Sequence, residues 1–190
     1  MKKIKILLTL LFFFVLDCKK KDWRDELKTV DYKEIHKDSL SKQKLPIQMS
    51  GGMTDRESAV HSFLVALKEN RKNEISKFIL SDEEYKEYFL PHTLGHGTSL
   101  DVTPMDQYWP SFIERKKMGM ESLSASLLRS NGNIKEFHWR PETREYGPWK
   151  AWKLDSVVLE TKNAKAGLTL EQIKLVACHK EKCKIAVIAP

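Results

Sequence analysis

The apolar positions change rhythm once along this chain, and the change divides it. Over residues 54–127 they recur at helical spacing, and from Ile134 onward they alternate as in strands. Val60, Phe63, Leu64 and Leu67 stand at i, i+3, i+4 and i+7 and predict one helix face. Thr54-Asp55-Arg56-Glu57 reads as its capping box, with Thr54 accepting the Glu57 amide. Ile75, Phe78 and Ile79 predict a second, shorter helix, and a further capping box, Ser81-Asp82-Glu83-Glu84, precedes Tyr85, Tyr88 and Phe89. Residues 91–100 read as an irregular loop. Thr103-Pro104 then pairs a cap with proline at the first helical position, opening a helix that carries Phe112, Met120, Leu123 and Leu127. Pro110 is expected to kink or restart that helix and Asn131-Gly132 to end it.

Strands are predicted over residues 134–140, 151–161, 168–178 and 183–189. Phase slips at Asp155-Ser156 and Glu171-Gln172 predict bulges, and Pro141 and Pro148 predict a turn-rich connection from Arg140 to Pro148. The last hairpin is apolar on both faces near Leu175, Val176, Ile185 and Val187, so it should be central and covered. Helices followed by an antiparallel meander predict one α+β domain over residues 53–190, its N-terminal helices packed on one face of a curved sheet.

Residues 19–52 are rich in Lys, Asp, Glu and Ser and end in Ser50-Gly51-Gly52. They predict a flexible tether with a mean span on the order of 30 Å, with a frayed helix around Trp23, Leu27 and Val30. Ahead of it, Lys2 and Lys3 lead into an apolar run over residues 6–16, and then Cys18. That run is shorter than the ~20 residues of a membrane span and falls within the ~7–15 of a secretory signal core, so residues 1–17 read as a signal peptide. Val15-Leu16-Asp17-Cys18 resembles the processing site of bacterial lipoproteins. The resemblance implies a diacylglyceryl group on Cys18 and cleavage before it. Asp17 departs from the family pattern, where a small neutral residue stands, so an ordinary secretory signal with unmodified Cys18 is the alternative. A membrane partner through the lipid anchor follows, and Lys19 in place of Asp points to the outer membrane.

The 190-residue chain carries a net charge of +7, with Lys2, Lys3 and Lys5 inside the signal. A mild positive excess favours anionic lipid or glycan, and no cationic run interleaved with stacking aromatics supports nucleic acid. Of three cysteines, Cys18 is the odd one. Cys178 and Cys183 face each other across a hairpin turn centred on Lys180-Glu181 and predict a disulfide in an oxidising compartment. A zinc site using His179 is the rival, but it lacks a second pair of ligands.

The stretch from Val60 to Asn70, followed by Ile75 and Phe78, resembles the first helical pair of nuclear-transport-factor-2-like domains. That resemblance covers residues 54–80 in sequence and 54–190 in element order. It implies a cone, a bent sheet wrapped around a long helix. Catalytic members place Asp, His or Tyr in the pocket, which implies that His61, Tyr108, Trp109, His138 and Trp152 line one cavity. His61 or His138 would then be the general base, though neither has a carboxylate placed within its own element.

His92 and His96 have a metal-like interval in a segment with two glycines and no carboxylate before Asp101. Trp139, Arg144, Tyr146, Trp149 and Trp152 gather aromatics beside cations, the composition of a recognition patch. Nucleophile elbows, phosphate loops and nucleotide fingerprints are missing, and no cofactor is implied. The expectation is a lipid-anchored cell-envelope protein that binds a small ligand or envelope partner without turning it over. An isomerase- or dehydratase-like enzyme and a structural spacer are the alternatives. An interior filled by Phe63, Phe112, Met120 and Trp152 would disfavour the enzyme.

Overall fold

The computed structural model describes residues 31–130, 133–161 and 167–190. The predicted signal peptide, Cys18, the helix around Trp23 and the Asn131-Gly132 stop lie outside the described residues. Helices precede strands, as the change of rhythm predicts, and the domain is α+β. The helices are α1 (Tyr32–Ile35), α2 (Lys37–Ser41), α3 (Arg56–Lys68), α4 (Lys72–Phe78), α5 (Leu90–Thr93), α6 (Ser99–Val102) and α7 (Met105–Leu127). A single π-helical turn spans Glu84–Phe89.

β1 (Ile134–Tyr146), β2 (Trp149–Leu159), β3 (Leu168–Leu170), β4 (Ile173–His179) and β5 (Lys182–Ile188) form one antiparallel sheet, ordered β1-β2-β4-β5 with β3 also on β2. β3 pairs near Val158 and β4 near Ala151, so the two run along β2 in one line, broken at the expected Glu171-Gln172 slip. The second slip is a bulge. His138 faces Ser156 while Trp139 faces Leu154, leaving Asp155 as the extra residue. The bulge keeps Leu154, Val157 and Leu159 in one core cluster despite the change of phase.

Proline does not end β1 at Arg140, contrary to expectation. β1 is the sheet edge, where a missing N–H is tolerated, and Pro141 falls within the register shift between Trp139 and Thr143. Pairing resumes up to Tyr146 and Trp149, so the turn is Gly147-Pro148 alone, with Gly147 at φ +57°.

Helical elements cover both faces of the sheet, correcting the one-face expectation. Alternation sends Val176, Cys178, Cys183 and Ile185 to one side and Ala177 and Ala186 to the other. Ala59, Val60, Phe63 and Leu64 of α3 cover the first side, and Tyr85, Phe89, Leu90 and Phe112 cover the second. α7 serves both: Phe112 joins the second cluster and Leu123 and Leu127 the first. It crosses at the end of β5, where a Cβ on Gly119 would lie 2.9 Å from the Ala189 nitrogen. Pro110 neither breaks nor restarts this 23-residue helix; it sits near the start, exposed, and forfeits one bond.

Caps and edges shift slightly from expectation. Asp55, not Thr54, caps α3, accepting the Ser58 amide at 2.7 Å, and Pro104, not Thr103, holds the cap position of α7. Residues 91–100 are not wholly irregular, since Pro91 lies in α5 and Thr98 and Asp101 form a capping box for α6. β5 ends the strand order and is not central. Its outer edge is nevertheless taken up, because Met53 exchanges both backbone bonds with Cys183 and the Leu80 amide donates to Ile185.

The largest correction concerns the tether. Residues 31–50 are not free chain but a strap folded onto the second face. The His36 Nε2–H donates to the Leu100 carbonyl at 2.8 Å with the imidazole 2% exposed, and Lys42 pairs with Glu87 at 2.6 Å. Gln43 donates to the Pro91 carbonyl, and Tyr32, Leu40, Ile47 and Met49 pack against the second cluster. Gly95, at φ +84°, lets the Tyr32 ring approach so closely that a Cβ would meet it at 2.8 Å.

Candidate functional site

Side chains fill the space between sheet and helices. Phe63 is fully buried in the first cluster, with Met120 and Trp152 packed against it, and Phe112 is buried in the second. The cavity implied by the cone resemblance is therefore divided by the sheet: Tyr108 and Trp109 pack on the second cluster and Trp152 on the first. His61 and His138 are exposed, outside both. A carboxylate does stand within reach of His138. Glu136, two residues earlier on the same face of β1, lies 3.5 Å from its Nε2, a contact that strand alternation makes legible. Tyr108 instead shares a 2.8 Å hydroxyl–hydroxyl bond with Tyr85, and burial pushes both phenols up.

His92 and His96 do not share a helix. α5 ends at Thr93, so the helical phase that would align them is lost. The His92 ring abuts Gly147, while His96 lies exposed, edge-on to Tyr146. Burial, with a smaller contribution from His179, pushes the His92 imidazole down. Asp101, the nearest carboxylate in sequence, accepts the amides of Gly95, Gly97 and Thr98 at 2.7–3.0 Å and so clips the loop. Among the described residues no three His, Cys, Asp or Glu side chains gather for a metal.

The predicted recognition patch is split by the sheet. Trp149 is fully buried, its Nε1–H donating to the Tyr88 carbonyl at 3.0 Å, and Tyr146 is buried beside it in the second cluster. Arg144 donates to the Tyr146 hydroxyl at 3.4 Å, which raises its already high pKa. Trp139 and Trp152 stay half-exposed against the first cluster. The cation that attends them is Arg56 of α3, its guanidinium 4.5 Å from one ring centroid and 5.5 Å from the other.

Cys178 and Cys183 form the expected disulfide, Cα atoms 4.0 Å apart. Because both backbone groups of Cys183 bond outward to Met53, the cysteines occupy a non-hydrogen-bonded pair of the ladder, where cross-strand spacing is short. The disulfide helps wall a cleft of about 510 Å³ together with Arg56, Pro148, Lys150, Trp152 and Lys180. Three chain segments meet there: the start of α3, the β1–β2 turn and the β4–β5 turn. Asp55 also lines the cleft, but its carboxylate is occupied by the Ser58 hydroxyl and amide, which hold its pKa down.

A second feature escaped the sequence reading. Lys184, fully buried, places its ammonium 2.7 and 3.0 Å from the two oxygens of Glu84. Glu84 also accepts the Ser50 amide and hydroxyl from the strap and the Ser81 amide of its own capping box. Burial alone would raise the Glu84 carboxyl, but Lys184 and these amides outweigh it and hold the group below the usual range.

Comparison with known protein families, with curated proteins and with solved structures returns no match. Fold and site together define an α+β domain with a closed interior and an open cationic–aromatic cleft beside a disulfide.

Proposed function

We propose that this chain is a cell-envelope protein, held at a membrane by lipid on Cys18, whose domain binds a ligand without converting it. The observation that carries the binding reading is the contrast between a filled interior and an open cleft. The side chains suited to general-base chemistry, His61 and His138, lie outside the first and have no place in the second. The export reading draws support from Lys2, Lys3, the apolar run over residues 6–16 and the Val15-Leu16-Asp17-Cys18 sequence. A disulfide agrees with an oxidising compartment. No helix of the described residues is long and apolar enough to cross a membrane. With the strap folded, residues 19–30 are the only chain between Cys18 and the domain, which therefore sits nearer the bilayer than a tether of residues 18–52 implies.

Two measurements test the proposal. An alkyne fatty acid supplied to cells should label the wild type and spare Cys18→Ala; equal labelling ends the anchor. An envelope fraction that raises the melting temperature should yield its active component chemically unchanged after incubation. A new product formed only in the presence of the protein ends the reading of binding without turnover.

A further inference from the structure

We propose that the cleft at the start of α3 binds a small organic anion carrying a flat ring, its charge held by Arg56, Lys150 and Lys180 and its ring by Trp152 and the disulfide. The inference rests on the binding reading above and gives it a ligand class. The cleft collects three cations against one carboxylate, and that carboxylate is turned into the Asp55 cap. Among the described residues none of the three cations lies in an ion pair, so no carboxylate of the domain neutralises the charge gathered in the cleft. Cations gathered without an anion repel each other, and a bound anion relieves that repulsion while gaining attraction from all three.

Arg56 is held over the Trp139 and Trp152 rings, so its position is set before anything binds. Its delocalised guanidinium is the weakly hydrated kind of cation that gives up water readily. Lys150 stands two residues before Trp152 on β2, and Lys180 caps the hairpin closed by the disulfide, with φ at +54°. Apart from Thr54, the remaining wall is apolar: Trp152, Pro148 and the disulfide-bonded Cys178 and Cys183. An inorganic anion would use the cations and leave that wall wet, and a neutral ring would use the wall and leave the cations unpaired. A molecule with both parts uses the whole cleft, and about 510 Å³ lies in the size range of small-molecule sites.

The test uses 1-anilinonaphthalene-8-sulfonate, a flat aromatic anion, and its uncharged relative N-phenyl-1-naphthylamine, titrated into the purified full chain. The sulfonate should bind saturably at one site. Lys150→Glu combined with Lys180→Glu should weaken it about tenfold or more, with the melting temperature as the check on folding. The uncharged dye should bind no better to wild type than to the variant. On wild type alone, raising the salt should weaken the sulfonate and not the neutral dye, and benzoate should displace the sulfonate where equal inorganic phosphate does not. Sulfonate binding that ignores both the lysines and the salt overturns the proposal, as does displacement by phosphate equal to that by benzoate. A native ligand that stabilises wild type and double variant alike would remove this site and leave the binding reading standing.

Discussion

Glu84 and Lys184 are unequally supported, and the inequality predicts a change of sign in a mutational cycle. Lys184, 0% exposed, has Glu84 as its one anionic partner among the described residues, whereas Glu84 also accepts from Ser50 and Ser81. Glu84→Leu strands a buried ammonium and deprives those donors of their acceptor, which should destabilise the fold by about 3–5 kcal/mol. Lys184→Met leaves a carboxylate still facing two amides and a hydroxyl, for a loss of about 1–3 kcal/mol. The double variant buries two apolar side chains, so it should be more stable than Glu84→Leu alone. Lys184→Met therefore destabilises the wild type and stabilises the Glu84→Leu background. Urea unfolding with the disulfide intact measures all four corners. Native-state hydrogen exchange at the Ser50 amide adds a local readout, which Glu84→Leu should accelerate and Lys184→Met should move far less. Equal losses for Lys184→Met in both backgrounds would refute the account of a buried charge in need of its partner.

Acid should act in two stages. The His92 imidazole is pushed down, so its unfolded form takes up protons first and stability falls as pH drops below the ordinary 6.5 toward the lower folded value. The Glu84 carboxyl is also pushed down, so its contribution is complete above about 4.5 and is lost as pH falls through its lower folded value. Urea midpoints from pH 7.5 to 3 should show both windows, and His92→Gln should flatten only the upper one. Gly119→Ala gains up to about 1 kcal/mol of helix propensity but forces a Cβ against Ala189, so a net loss of melting temperature is expected. Trp149→Ala should cost about 3–5 kcal/mol, and Trp152→Ala markedly less by urea unfolding, because only the first indole is fully enclosed. Native oxidised protein should show no free thiol at Cys178 or Cys183, and reduction should cost roughly 2 kcal/mol for so short a loop.

Local signals were legible in this sequence and assembled ones were not. The Cys178–Cys183 staple follows from hairpin spacing, and the Asp155 bulge from a broken alternation, because each is decided within one pair of strands. The strap was missed because Tyr32, Leu40, Ile47 and Met49 are too sparse to form a periodic face and short helices leave little pattern. Pro141 misled for a different reason: proline forbids a central strand, but which strand is the edge is a property of the whole sheet. The recognition patch was readable as divided: Trp139 and Tyr146 on β1, and Trp149 and Trp152 on β2, stand at odd intervals, which strand alternation sends to opposite faces. Lys184 carried a readable signal, a lone cation whose alternation with Cys183 and Ile185 aims it at the second core. Arg56 carried none, because its partners, Trp139 on β1 and Trp152 on β2, are remote in sequence and on other elements.

The cleft draws its positions from a cap, a disulfide and a tight turn. Asp55 fixes the first turn of α3 and with it the origin of the Arg56 side chain. The disulfide closes the hairpin that carries Lys180, and the Gly147-Pro148 turn sets where β2, with Lys150 and Trp152, begins. Met53 then bonds the segment before α3 to Cys183, so the helix start and the hairpin cannot drift apart independently. Each device is satisfied within the domain and leaves the cations as the unsatisfied part. A site held in place before binding spends little ordering energy on its ligand, so weak individual charges at a surface can add to a specific one. The buried Glu84–Lys184 pair follows the opposite logic on the far face: there every charge is answered internally, and the result is a fastening for the strap.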